Sequence, residues 1–473
     1  MRRGHTGCAA MNEASLQDGG VVGVDEMFAV GPELVRAVET ALDEEHWAEL
    51  EALVTPLHMA DLADLLEFLP SDERQRLVAW LGSDLDPELL TELVEPVLAD
   101  VVSQLSSQEL ARAIVELDTD EALYLLENVP ESRQAEVLDA VPAPDRLAVQ
   151  EGLAYPEDSA GRLMQREFIA VPGYWTVGHV IDYCREADDL PDEFYEIFIV
   201  DPRQRPIGSV PLNRVMRTKR PIMVRTIMEP ENRVIPAAMD QEEVAYLFQQ
   251  YRMASAPVVD EAGRMVGVVT FDDVAEVIQE ETEEDLMRLA GIAGETDIGL
   301  SVQRTTRTRF TWLLVNLFTA ILASAVIGLF DATIEQIVAL AVLMPIVASM
   351  GGNAGTQTLT VAVRALATRE LTAANALRIV RKEVLVGGIN GILFAVLIGV
   401  IAGVWFRSAG IGLVIAAAMV INMLVAGLSG ILIPLACERF KVDPAVAAGV
   451  FLTTITDVIG FFAFLGLAAL FLL

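Results

Sequence analysis

Apolar residues change their spacing twice along the chain, and the changes divide it into three materials. From residue 26 to 153 they recur three and four apart, as at Leu62, Leu65, Leu66 and Leu69, the period of amphipathic helices. Prolines close these helices at Leu69-Pro70-Ser71 and Val129-Pro130-Glu131, where the ring removes a backbone donor. Leu65-Leu66-Glu67-Phe68-Leu69-Pro70 returns sixty residues later as Leu125-Leu126-Glu127-Asn128-Val129-Pro130, which predicts an all-α superhelical domain of stacked short helices. From 154 to 280 strands alternate with helices in two similar halves, about 163–222 and 227–280. Ile199-Val200-Asp201-Pro202 leads into Ile207-Gly208-Ser209-Val210, and Val258-Val259-Asp260-Glu261 leads into Val266-Gly267-Val268-Val269-Thr270; each half predicts a hairpin followed by a helix. An acidic amphipathic linker helix is expected over 281–303, with Glu280, Glu281, Glu283, Glu284 and Asp285 ahead of Leu286, Leu289 and Ile292. Residues 304–473 carry five apolar segments, about 311–330, 335–363, 383–405, 411–436 and 446–472, each long enough to span a bilayer as a helix. Residues 1–25 lack the apolar core of a signal peptide and are expected to form a mobile tail.

Charge sharpens the division. Residues 1–300 hold 61 of the 68 acidic residues and 22 of the 33 basic ones, whereas 301–473 hold 7 and 11. A soluble half with a net charge of −39 argues against nucleic acid as a partner and suits a region that collects cations or simply stays dispersed. Cys8, Cys184 and Cys437 are scattered, and His5, His46, His58 and His179 do not cluster, which argues against a disulfide framework or a zinc site. Ten of the eleven basic residues of the apolar half lie on one side of the spans: Arg304, Arg307 and Arg309 before the first, Arg364 to Lys382 between the second and third, and Arg439 and Lys441 between the fourth and fifth. Only Arg407 lies opposite. The bias places the acidic half in the cytoplasm and the C-terminus outside, in a multi-pass cell-membrane protein.

Three features of the spans carry chemistry. Asp457 lies within the last apolar segment, in Thr453-Thr454-Ile455-Thr456-Asp457; a carboxylate at that depth faces protein, water or an ion. Threonine hydroxyls beside it make an oxygen-only environment, which favours hard cations. The plainer reading is an Asp bonded to neighbouring helices. In the second segment, Gly351-Gly352-Asn353-Ala354-Gly355-Thr356-Gln357 is expected either to loosen the helix and expose carbonyls along a cavity or to pack helices closely through small residues. Asn316, Asn390 and Asn422 are expected to bond neighbouring helices, and Glu383, after Arg381 and Lys382, to sit at an interface.

Two resemblances add to this reading. The paired halves resemble a tandem of CBS domains. Gly267-Val268-Val269-Thr270-Phe271-Asp272-Asp273 is similar to that family's nucleotide-contacting pattern of a Thr with an Asp three residues on, which implies a site for ATP or another adenine nucleotide at Thr270 and Asp273. The first half departs from the pattern at Pro211 and Arg214, and a regulatory pair that binds no nucleotide is the alternative. Over nearly the whole chain, the order of helical acidic domain, CBS pair, acidic linker and five spans resembles the MgtE family of magnesium channels and transporters. Its membrane motifs match at Gly351 to Gln357 and at Thr453 to Asp457. The fold class implied is multidomain: a cytoplasmic all-α superhelical domain plus α/β tandem CBS domains, followed by an all-α transmembrane domain of five helices.

The resemblance implies a homodimer with one central pore, lined by Asp457, Thr453, Thr454 and Asn353, and a linker helix acting as a plug. It also implies cytoplasmic Mg2+ sensing by Asp240, Glu242, Asp273, Glu276, Glu281, Glu284 and Asp285. Asp118, Asp120 and Glu121 are sensing candidates in the helical domain, and an ordinary solvated role is the alternative for each acid. The chain departs from the family at Val450, commonly a proline there, and at Arg252, where some relatives carry an acid. The expected function is Mg2+ uptake under negative feedback by internal Mg2+, with no enzyme chemistry. Alternatives are a coupled divalent-cation transporter and a non-conducting nucleotide-sensing regulator. An intramembrane aspartyl protease would need two facing carboxylates, and Asp457 is the one Asp deep in a span.

Overall fold

The computed structural model describes residues 30–473 except 83–84, 188–189, 192–193, 231–232, 290–301, 373 and 441–443. The expected tail over 1–25 and the 290–301 part of the linker helix lie outside the described residues. The chain divides into two compact units, the first ending at Val274 and the second starting at Ala275.

The first unit opens with short helices whose leucines and valines close a single core, from Val38 through Leu65 and Leu98 to Val149. The sixty-residue echo is structural. Helix Met59–Phe68 is followed by Ser71–Leu81, and Thr119–Glu127 by Glu131–Ala140. At both proline breaks a side chain of the next helix satisfies the carbonyls that the turn leaves open. Arg74 donates to the Leu66 and Leu69 oxygens, and Gln134 donates to those of Leu126 and Val129. Carbonyls at a helix end have no partner within the helix, so a donor at that place completes them.

The α/β part holds two three-stranded sheets of the same order, β1 (Ala170–Pro172), β2 (Glu196–Val200), β3 (Pro206–Pro211) and β4 (Ile235–Pro236), β5 (Ser255–Val259), β6 (Met265–Thr270). In each, the first pair is parallel and the second antiparallel. Each hairpin turns on an Asp: Asp201 accepts from the Arg203 and Arg205 amides, and Asp260 from those of Ala262 and Arg264. Matching glycines let a second chain segment cross each hairpin. A Cβ on Gly208 would lie 2.6 Å from the Glu229 oxygen, and one on Gly267 would lie 2.7 Å from the Gln165 oxygen. Residues before β1 belong to the second half, with the Ala160 and Gly161 amides donating to Met239 and Ala237. The two halves are therefore interlaced. Helix Phe271–Leu289 follows β6 without interruption, so the end of the CBS region and the start of the acidic linker form one helix.

Among its described residues, the second unit contains five helices long and apolar enough to cross a membrane. The spans are helices Val302–Gly328, Ala339–Ala367, Ala376–Trp405, Ala409–Arg439 and Pro444–Phe471, and the short helix Asp331–Gln336 precedes the second. The fourth span is the most enclosed and packs on the second, third and fifth. It meets the third at glycines set against backbone: a Cβ on Gly387 would lie 2.8 Å from the Met423 oxygen, and one on Gly412 would lie 2.5 Å from the Gly399 oxygen. Lipid tails give apolar helices little reason to associate, so close backbone approach supplies the attraction.

Candidate functional site

The candidate residues fall into two groups, one in each unit. In the second span, Val347, Gly351, Gly355 and Leu359 form the buried face. Asn353, Thr356, Gln357 and Thr360 recur at helical spacing on the other side, exposed. The glycine-rich motif does not interrupt the helix, which runs unbroken from Ala339 to Ala367. This corrects the expectation of loosened backbone. Gly351 and Gly355 serve packing: Cβ atoms there would lie 2.1 Å from the Asn422 Nδ2 and 2.8 Å from the Leu452 Cδ1.

In the fifth span, Leu452, Thr456 and Gly460 are buried, Thr453 is exposed, and Thr454 and Asp457 are half-exposed. The helix is continuous through Val450, so a valine there keeps the local geometry. All three threonines donate their hydroxyl hydrogens to backbone oxygens of the same helix, Thr454 to Val450 at 2.7 Å and Thr456 to Leu452 at 3.1 Å, while Thr453 reaches Val450 at 3.1 Å. Donating their hydrogens leaves the Thr453 and Thr454 oxygens with accepting lone pairs, as a cation or its water shell requires, whereas Thr456 is fully buried. Asn422 donates to the Val347 oxygen, the interhelical bond expected of it. Glu383 lies 3.8 Å from Lys382.

The second group gathers where the helical domain meets the second CBS half. Helix Thr119–Glu127 begins with a capping box in which the Asp118 amide donates to Glu121. Its first turn presents Asp120 to Asp273, and the two carboxyls share a hydrogen bond. Thr270 donates its hydroxyl and amide to Asp273 from the other side. Burial, then the charges of Asp273, Glu121 and Asp118, hold the Asp120 carboxyl well above the carboxylate range. Burial and Asp272 likewise raise Asp273. Glu121 is pushed up to about 7 by burial, with Asp118, Glu88 and Asp273 adding to it. Like charges crowded out of water cannot all ionise. One oxygen of Asp120 is sealed from solvent with no hydrogen-bond partner among the described residues.

Among the described residues, no group of three or more His, Cys, Asp or Glu side chains stands ready to hold a metal ion. The cluster is arranged around shared protons, although its donors are all oxygen, the set that Mg2+ prefers. The junction is pinned by Glu167, which accepts from the Thr119 amide and hydroxyl, and by ion pairs of Arg162 with Glu127 and Arg166 with Glu151. Sequence reasoning passed over Glu167 and Glu88. Each is a lone acid in a chain rich in them; Glu167 is marked only by the meeting of two domains, and Glu88 by its charge beside Glu121 within the helical domain.

The other sensing candidates are spread out. Asp240 caps helix Gln241–Tyr251 by accepting from the Glu242 amide. Arg252 ends that helix in the left-handed region. Glu276, Glu281, Glu284 and Asp285 follow Asp273 along helix Phe271–Leu289, and Glu284 pairs with Arg288.

Beside Thr270, a narrow cleft is lined by Glu167, Phe168, Phe194, Tyr195, Glu196, Phe198 and Ser255, among others. Among the described residues, its lining carries two carboxylates, Glu167 and Glu196. In the first half, Arg214 is tied to Glu229 and to the Ile227 oxygen.

Comparison with known proteins bears on both groups. The MgtE family, described as a divalent cation transporter, matches residues 344–467. The MgtE intracellular N domain matches 57–158, and the CBS domain matches 224–280. The magnesium transporter MgtE of Thermus thermophilus is 33% identical over 340 residues, which cover 70% of this chain and 74% of that protein. That of Bacillus subtilis is 29% identical over 335 residues, 71% of this chain and 74% of the other. A crystal structure of the cytosolic domain of the Mg2+ channel MgtE in complex with ATP is 30% identical, covers 51% of this chain and 99% of its own, and has a TM-score of 0.48. With the relatives matched across both the soluble and the membrane parts, this chain belongs to the MgtE family of magnesium transporters.

Proposed function

We propose that the chain is a magnesium-selective channel, embedded in the cell membrane as a homodimer, that takes up Mg2+ and is closed by Mg2+ at its cytoplasmic acids. The observation that carries the pore is the outward polar side of two spans, with Asn353, Thr356 and Gln357 on one and Thr453 and Asp457 on the other. Polar groups at bilayer depth need water or protein against them. A second copy facing the first supplies both, with a wet path between. Mg2+ dehydrates reluctantly, so paired Asp457 carboxylates attract it through its water shell while the Thr453 and Thr454 oxygens and the Asn353 amide orient that shell. A monovalent ion gains less from the paired charge, and retained water keeps binding weak enough for release. The basic residues around the spans set the N-terminal domains in the cytoplasm and the C-terminus outside.

Asp120 and Asp273, with Asp118 and Glu121 beside them, would hold the regulatory ion where the helical and CBS domains meet. Mg2+ there replaces the shared protons and holds the junction shut. Asp240, Glu242, Glu276, Glu281, Glu284 and Asp285 supply the remaining sensing acids, and the linker acts as the plug. A ligand that binds the closed arrangement better shifts the population toward it. No step is assigned to a nucleotide.

The test is Mg2+ uptake into proteoliposomes across a range of internal Mg2+. Wild type should conduct and be suppressed from inside. Asp457→Ala and Asp457→Asn should lose flux or selectivity by about tenfold or more, because one charge contact at an effective dielectric of ~20 exceeds the ~1.4 kcal/mol that a factor of ten represents. Variants that transport like wild type would make Asp457 a structural residue. A wild type that moves no divalent ion would favour the non-conducting regulator.

A further inference from the structure

The fourth span carries a group that packing alone does not explain. Asn422 is fully buried at the meeting of three helices. Its Nδ2 donates to the Val347 oxygen of the second span at 2.8 Å. Its amide lies against Gly351 of the second span and Gly460 of the fifth, where added Cβ atoms would come within 2.1 and 2.8 Å of Nδ2. Both glycines are therefore required by this one side chain. Its Oδ1 is sealed from solvent and has no hydrogen-bond partner among the described residues. An unsatisfied buried oxygen opposes stability. Leucine has the same branched shape without that cost and suits a membrane interior. A residue that breaks a packing rule at the crossing of functional elements points to a role in function.

The two glycines frame the proposed ion path. Gly351 lies two residues before Asn353, on the opposite side of the same helix, and Gly460 lies three residues after Asp457. Resting on the channel reading above, we infer that Asn422 is a positioning residue: it fixes the second span behind Asn353 and the fifth span one turn beyond Asp457, and so sets the distance between Asn353 and Asp457. The bond to the Val347 oxygen holds the second span in depth and rotation. Contact with Gly460 does the same for the fifth. A hydrated cation is discriminated by small differences in the spacing of its oxygen partners, so a slackened clamp changes selectivity before it abolishes flux.

The experiment uses the full-length protein in proteoliposomes and compares Mg2+ with Ca2+ permeability for Asn422→Leu and Asn422→Ala. Leucine keeps the volume and removes the hydrogen bond; alanine removes both. Elution profile and thermal stability report folding, and leucine decides the question if alanine fails to fold. The inference expects both variants to conduct Mg2+ with the Mg2+/Ca2+ ratio lowered about threefold or more, the scale of one interhelical hydrogen bond in a membrane protein. A wild-type ratio in the leucine variant would overturn it and leave Asn422 as packing, whether or not alanine is impaired. A wild type without divalent flux overturns the channel reading and this inference with it. Wild-type flux with an indifferent Asn422 overturns the inference alone.

Discussion

Asp120 and Asp273 hold a contact that two ionised carboxylates would oppose, and a shared proton makes it tolerable. Replacing one carboxyl by an amide keeps the hydrogen bond and removes the charge. Asp120→Asn should therefore stabilise the docked junction without Mg2+ by about 1–3 kcal/mol, the scale of one relieved like-charge contact. The check is slower amide exchange in helix Thr119–Glu127 under chelation, with lower Mg2+ uptake at low internal Mg2+. Glu121 fixes the direction of pH dependence. Its carboxyl stands near 7 in the folded chain against an ordinary 4.5, so between those values the docked state binds more protons than the separated one. Docking in a chelator should be at full strength below about 4.5 and weaken as pH rises through about 7, with the raised Asp120 and Asp273 acting in the same direction. Exchange rates across that range measure it, and a junction that tightens with rising pH would contradict the assignment.

At the scale of elements, the membrane part depends on glycines set against backbone rather than against yielding side chains. A methyl group on Gly412 meets the Gly399 oxygen at 2.5 Å, and one on Gly430 meets the Gly355 oxygen at 2.8 Å. Neither obstacle can rotate away. Gly412→Ala should part the third and fourth spans and cost about 1–3 kcal/mol, read as a lower thermal midpoint in detergent. Gly352→Ala is the contrasting case: a Cβ there meets nothing within 4 Å, so it should leave the midpoint unchanged. The motif thus divides by face, with Gly351 and Gly355 for packing and Asn353, Thr356 and Gln357 on the exposed side.

At the scale of the whole molecule, those exposed polar faces require a partner or water, and a second copy is the proposed cover. Cysteine placed at Thr360, exposed on the same side as Asn353, should cross-link between copies in membranes, and more slowly after magnesium removal if the assembly loosens when it opens. Failure to form a covalent dimer at any polar-face position of the second or fifth span would count against the central pore. Chelation should also raise exchange at Thr119–Glu127 while leaving the buried centre of the fourth span protected, since the two belong to separate compact units.

The sequence by itself determined the ingredients. Spacing of apolar residues named the helical stack, the two hairpin halves and five apolar spans, because burial of one face imposes a period on any chain that folds. Asp457 stood out because a carboxylate at bilayer depth has few neutral explanations. The matching glycines at Gly208 and Gly267, the roles of Arg74 and Gln134 at the proline breaks, and the continuity of the second span through Gly351 to Gly355 needed tertiary structure. Each is settled by what lies across from it, and local pattern carries no record of that. The same holds for the acids. Charge alone treats Asp118, Asp120, Glu121 and Glu167 as four among sixty-eight. Folding sets Asp120 against Asp273, distant in sequence, and ties Glu167 to Thr119. A carboxylate changes its proton affinity when water is replaced by another carboxylate, and only the folded chain decides which acids lose their water.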